Sequence, residues 1–148
     1  MSMHSHKNGH TIVVGEDEPE VRGYLEMALK CLGYSVELAQ DGDEVISFLQ
    51  TSKTPVSAVL LDLMMPQCDG IETLQAVRRM APDLPVIIVS GASSTLNVVT
   101  AMKCGATDFL CKPVAHEDLK TAISKALEHQ IVRDNALPPR ALKASGFP

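Results

Sequence analysis

The residues able to do chemistry stand at the ends of apolar runs. Ala58-Val59-Leu60-Leu61 ends in Asp62, which is followed by Met65-Pro66 and Asp69-Gly70. A continuous apolar run of this length reads as a strand buried on both faces. The residue that closes such a strand opens at the carboxyl edge of a parallel α/β sheet, where these folds place their ligands. A carboxylate there is available for chemistry, although an Asp alone could equally start a turn before Pro66. Thr11-Ile12-Val13-Val14-Gly15 is a second buried run and ends in Glu16-Asp17-Glu18 before Pro19. Adjacent carboxylates repel one another unless they stay solvated or share a cation. A hard cation such as Mg²⁺ takes oxygen ligands, usually from one or two carboxylates together with phosphate and water oxygens. Acids also suit a helix N-terminus, where the macrodipole favours negative charge, and Glu18 and Glu20 are assigned to that role.

Two more runs end in complementary groups. Pro85-Val86-Ile87-Ile88-Val89 delivers Ser90, and Thr107-Asp108-Phe109-Leu110-Cys111 delivers Lys112 before Pro113. Taken singly, Ser90 is an ordinary turn residue before Gly91 and Lys112 an ordinary solvated lysine. Taken with the carboxylates, a hydroxyl donor and an ammonium are what the oxygens of a phosphoryl group on Asp62 would need.

The elements that must position these groups alternate strictly between strand and helix. Val21, Leu25, Ala28, Leu29 and Leu32 recur at helical spacing after Pro19, and Gly33 stops that helix. Residues 34–39 read as the second strand. Asp41-Gly42 turns into a helix with Val45, Phe48 and Leu49 inward, another helix spans 69–80, and a further one runs over 94–103 to Gly105. Leu119, Ala122, Ile123, Ala126 and Leu127 form the apolar stripe of a last helix that lies on the sheet. Five βα units predict an α/β fold, a doubly wound sheet with right-handed crossovers and helices on both faces.

The 148 residues are 45% hydrophobic and 21% charged, enough for one core without disulfides. A formal charge of −5 and the lack of a Lys/Arg-rich run argue against direct nucleic-acid binding. No apolar stretch reaches the length of a membrane helix and no signal peptide is visible, so the expected location is the cytoplasm. Cys31, Cys68, Cys104 and Cys111 show no CxxC spacing. They read as reduced thiols, small buried hydrophobes except for Cys68, which lies in the loop after Asp62 and is a candidate for modification. His4, His6 and His10 belong to or adjoin a disordered leader at 1–9. The domain is expected over 10–132. Residues 133–148, where periodicity dissolves around Pro138-Pro139, are read as a flexible tail or the start of a linker.

In order and spacing these motifs resemble the receiver domain of bacterial two-component response regulators of the chemotaxis-regulator type. The matching words are Ile12-Val13-Val14 then Glu16-Asp17-Glu18-Pro19, Leu60-Leu61-Asp62-Leu63-Met64-Met65-Pro66 then Asp69-Gly70, Val89-Ser90-Gly91, Gly105 through Leu110, and Lys112-Pro113. The resemblance implies a five-stranded parallel sheet of flavodoxin-like order 2-1-3-4-5. It implies Asp62 as phosphoacceptor, Glu16 and Asp17 as the acidic pair organising Mg²⁺, and a backbone carbonyl of Met64 on the same metal. Ser90 and Lys112 become the phosphate-binding pair, with Ser90 and Phe109 as switch residues. The implied partners are a sensor histidine kinase or phosphotransfer protein on one side and a downstream effector protein or domain on the other.

The chain departs from the family pattern in several places. The acidic pair is usually Asp-Asp, so Glu16 is one methylene longer and is expected to meet the metal through water or a displaced backbone. Phe109 lacks the hydroxyl of the usual Tyr, and a core aromatic is the alternative reading. The positions two residues after Asp62 and Ser90, which flank the path of hydrolytic water in the family, are Met64 and Ala92, and neither can orient water. The fourth helix offers Leu96, Asn97, Val98, Val99, Thr100 and Met102 with only Lys103 charged, which favours a protein contact over a charge-paired dimer. Two rival functions remain: an interaction module independent of phosphorylation, and an Asp-nucleophile phosphohydrolase, for which no cap insertion is visible.

Overall fold

A strand that reads as an unbroken apolar run must be covered on both faces, and the three central strands are. The computed structural model describes residues 9–65, 68–91 and 94–135, with the backbone alone at Cys68 and 129–135. In chain order the elements are β1 (Thr11–Gly15), α1 (Pro19–Cys31), β2 (Ser35–Ala39), α2 (Gly42–Thr51), β3 (Ala58–Leu61), β4 (Met64–Met65), β5 (Cys68–Asp69), α3 (Gly70–Met80), β6 (Val86–Ser90), α4 (Thr95–Lys103), β7 (Asp108–Cys111) and α5 (His116–Asn135). The main sheet has the order β2-β1-β3-β6-β7 and all four pairings are parallel. Numbered among themselves, its five strands run 2-1-3-4-5, as expected.

Side-chain alternation along each strand divides the core into two layers. Ile12, Val14, Leu60, Ile87 and Val89 meet Leu25 and Leu29 of α1 and Leu119 and Ile123 of α5 on one face. Val13, Val59, Leu61, Val86 and Ile88 meet Val45 of α2, Leu74 and Val77 of α3 and Ala101 of α4 on the other. Each fully buried side chain of this size contributes about 1.5–3 kcal/mol, and double coverage explains why β1, β3 and β6 read as solid apolar runs. The edge strands β2 and β7 are only partly covered.

The small antiparallel hairpin of β4 and β5 has no counterpart in the sequence reading. It sits between Asp62 and α3, where Gly70 N donates to Leu63 O at 3.1 Å. A Cβ on Gly70 would collide with Leu63 Cα and come within 2.7 Å of Leu63 O and 2.8 Å of Asp62 O. Asp69 caps α3 by accepting from Ile71 N at 2.9 Å. The Asp69-Gly70 pair therefore supplies a helix cap and a close approach to the backbone that carries Asp62.

Helix α5 continues through Asn135, beyond the expected boundary at 132. The expected leader, apart from Gly9, and the tail from 136 onward lie outside the described residues, as do Pro66 and Ala92. His10 pairs with the Ser57 hydroxyl at 2.8 Å. Cys31, Cys104 and Cys111 are free thiols as expected, but the expected burial fails at Cys31 and Cys111, which are exposed, and holds only in part at Cys104, which is half-buried against the core. Cys31 lies off the 25-28-29 stripe that α1 turns to the sheet, and Cys111 is the last residue of an edge strand. The Cys68 side chain is outside the described residues. No described helix is long and apolar enough to cross a membrane.

Candidate functional site

Parallel pairing brings every strand's carboxyl end to one edge, and three hydrogen bonds extend the ladder one residue past it. Glu16 N donates to Ala39 O, Asp62 N to Gly15 O and Lys112 N to Ser90 O, each at 3.0 Å. The backbones of Glu16, Asp62 and Lys112 are thus held by the sheet, although their strands are distant in sequence. The Lys112–Pro113 peptide bond is cis.

The side chains converge on the Lys112 ammonium. Nζ lies 3.0 Å from Glu16 Oε1, 3.1 Å from Asp62 Oδ2 and 3.5 Å from Glu18 Oε1. Glu16 is 1% exposed and Asp62 3%. The other Asp62 oxygen accepts from Met64 N at 3.1 Å. Burial raises the pKa of Glu16, the contact with Lys112 opposes that rise and the charge on Asp62 adds to it. For Lys112, burial alone would lower the pKa, but Glu16 and Asp62 outweigh it and the net shift is upward. Lys112 is thus held charged by the two carboxylates, whereas Glu16, buried beside Asp62, keeps its proton to higher pH than usual despite the lysine, in a site that water only partly reaches.

Glu16, Asp17 and Asp62 each present a carboxylate oxygen within 4.8 Å of the others. Glu16 Oε1 is buried and, despite its ionic contact with Lys112, accepts no well-directed hydrogen bond from the described residues. A hard cation or its bound water satisfies such an oxygen, so the donor set fits Mg²⁺. Beside these residues opens a cavity of about 380 Å³ lined by Asp17, Glu18, Asp62, Met64, Gly91 and Lys112.

Of the expected site residues, Glu16, Asp17, Asp62 and Lys112 are brought together, and Met64, 64% exposed, borders the same cavity. Ser90 ends β6 at the same edge but is fully buried, and its neighbour Gly91 faces the cavity instead. Phe109 is half-buried and packs into the layer formed with α2, α3 and α4. The helix-dipole role expected of Glu18 is only part of what it does. It occupies the N-cap position of α1 without a side-chain capping bond, and its carboxylate turns to Lys112. Its backbone is extended, so positions 16 and 18 point to the same side; that alternation was the available signal.

A doubly wound sheet with an acidic cluster and a lysine at its carboxyl edge defines a class of signalling domain, and the relatives agree. Residues 12–124 match the family described as the response regulator receiver domain. The chain is 37% identical over 125 residues to "Response regulator MprA" of Mycolicibacterium vanbaalenii, covering 84% of this chain and 53% of that protein. It is 32% identical over 133 residues to a Cyanidium caldarium protein described as "Probable transcriptional regulator ycf27", covering 90% of this chain and 52% of that one. A solved receiver domain protein from Clostridium thermocellum superposes with a TM-score of 0.76 at 29% identity, covering 83% of this chain and 98% of that one. A CheY-like receiver domain protein from Methanospirillum hungatei gives 0.78 at 26%, covering 84% and 98%. The chain belongs to the response regulator receiver domain family of two-component systems. It spans about half the length of the curated relatives it matches.

Proposed function

We propose that Asp62 accepts a phosphoryl group from a phosphohistidine of a sensor histidine kinase or phosphotransfer protein, and that the modified domain signals to a downstream effector protein or domain. The observation that carries this reading is the Lys112 ammonium in contact with both buried carboxylates at the mouth of the cavity. A carboxylate oxygen of Asp62 forms the new bond to phosphorus as the P–N bond breaks, and the electron pair remains on the departing imidazole nitrogen. The protein's task is to position the nucleophile and neutralise charge. Glu16, Asp17, Asp62 and the Met64 carbonyl would hold Mg²⁺, which would supply charge neutralisation for the transferring group. Lys112 releases its contact with Asp62 and pairs with a phosphoryl oxygen, and the Ser90 hydroxyl donates to another.

Drawing Ser90 and its loop toward the phosphoryl group lets Phe109 move inward behind it, which reshapes the face formed by α4, β7 and α5. On that face α4 exposes three apolar side chains, Leu96 at 73%, Met102 at 44% and Val99 at 41%, beside exposed polar and charged groups such as Thr95 and Lys103. The face suits a protein contact. The match to about half the length of longer regulators supports an effector that is a further domain; a separate effector protein is the other form of this output, and either would act in the cytoplasm.

Incubation with acetyl phosphate and Mg²⁺ followed by intact mass tests the reading. Wild type gains one phosphoryl group and Asp62→Asn gains none. Equal labelling of Asp62→Asn refutes the assignment.

A further inference from the structure

We infer that Arg22 is a positioning residue for the acidic cluster: its guanidinium clamps the main chain of the β1–α1 loop so that the carboxylates of Glu16 and Asp17 converge with Asp62. The inference rests on the proposed phosphoacceptor site and concerns a residue outside it. Arg22 Nη1 donates to Glu16 O at 2.9 Å and to Asp17 O at 3.1 Å. One nitrogen thereby joins two successive peptide groups, those following the two acidic residues of the cluster. The side chain is half-buried and rises from the first turns of α1, where Arg22 N donates to Glu18 O at 2.8 Å.

The clamp has a physical reason. Three consecutive carboxylates repel one another, and two of them must face Asp62 with oxygens within 4.8 Å. Among the described residues, Glu16 N is the last group of this loop that the ladder holds. The amide of Glu18 closes back on Glu16 Oε2 at 3.2 Å. Arg22 holds the carbonyls between, so the loop's main chain is tied at both acidic residues. Since its donations go to main-chain oxygens, it opposes splaying of the loop while leaving the carboxylate oxygens open to a cation. Groups that orient ligands without touching the metal are worth about 10–100-fold in metal affinity.

The test is Mg²⁺ affinity measured by calorimetry on the unphosphorylated chain, with urea unfolding in EDTA and amide hydrogen exchange at residues 16–18 beside it. Arg22→Met keeps the aliphatic stem and removes the donor. We expect Mg²⁺ binding about tenfold weaker than wild type, faster exchange confined to the β1–α1 loop, and a cooperative unfolding transition in EDTA. Arg22→Lys, which returns a cationic donor, recovers most of the affinity. Arg22→Gln takes the place of the methionine variant if that does not fold. Methionine or glutamine variants that bind Mg²⁺ as tightly as wild type overturn the inference. A lysine variant as weak as the methionine one overturns it too. Wild type that binds no Mg²⁺ refutes the phosphoacceptor reading and the clamp with it, whereas wild type that binds and is labelled beside an equally competent Arg22→Met refutes the clamp alone.

Discussion

Replacing Lys112 by methionine tests whether one ammonium permits two carboxylates to be buried at the sheet edge. The ammonium is 3.0 Å from Glu16 and 3.1 Å from Asp62, whose exposures are 1% and 3%. Methionine keeps most of the stem and removes the charge. Breaking a buried pair by deleting one partner costs about 3–5 kcal/mol. The low end applies because the Lys112 side chain is 18% exposed and water can reach the gap, so about 3 kcal/mol is expected at mildly alkaline pH. The loss depends on pH, and its sign follows from Glu16. Burial already raises its pKa, Lys112 is the leading influence against that rise, and Asp62 adds to it. Without the lysine the folded-state pKa climbs further. A carboxyl whose pKa is raised on folding favours the fold below its unfolded value and loses that contribution as pH rises through the folded value. The deficit of Lys112→Met is therefore smallest at about pH 4 and grows toward pH 8, by about 1.4 kcal/mol per unit of additional shift. Urea unfolding followed by circular dichroism in EDTA, at several pH values and against wild type, measures it. A deficit below about 1 kcal/mol, or one that does not change with pH, would show that the ammonium does not hold this site together.

Three further perturbations address neighbouring parts of the site. Gly70→Ala drives a methyl against Leu63 and the Asp62 carbonyl and should cost about 1–3 kcal/mol while slowing labelling of Asp62; a variant as stable and as readily labelled as wild type would remove the close approach from the account. Glu18→Gln neutralises an exposed carboxylate 3.5 Å from Lys112 that lies outside the three-residue metal cluster. Labelling by anionic acetyl phosphate should accelerate roughly two- to threefold at low salt and lose that advantage at about 1 M salt, where screening acts over about 3 Å; a rate unchanged at low salt refutes it. Met64→Asn combined with Ala92→Glu should hasten decay of the aspartyl phosphate, because each supplies a group able to orient water. Decay followed by mass at fixed Mg²⁺ checks this, and equal lifetimes would clear those side chains of control.

Much of this molecule was legible in one dimension because parallel strands covered on both faces leave an unbroken apolar record. Ile12 to Val14, Ala58 to Leu61 and Val86 to Val89 each mark a central strand, and the residue at the end of each run marks the functional edge. Asp62 and the Glu16-Asp17 pair could therefore be read directly as edge carboxylates, and the 25-28-29 stripe of α1 and the stripe of α5 as sheet-facing. What the sequence left open were relations between side chains separated by many residues or turned by local backbone. Lys112 and Asp62 are 50 positions apart, and only the sheet register places one ammonium between Glu16 and Asp62. The turn of Glu18 toward that ammonium, the Arg22 bonds to two carbonyls and the β4–β5 hairpin depend on torsions that composition does not specify. The cysteines make the same point, since a small apolar residue on an edge strand or off a helix stripe carries the same letter as one in the core. The exposure of Leu96, Val99 and Met102 was likewise decided by how α4 rests on the sheet, where Ala101 alone is fully buried. Periodicity reports which residues can share a face, and packing against the rest of the chain determines which face is covered.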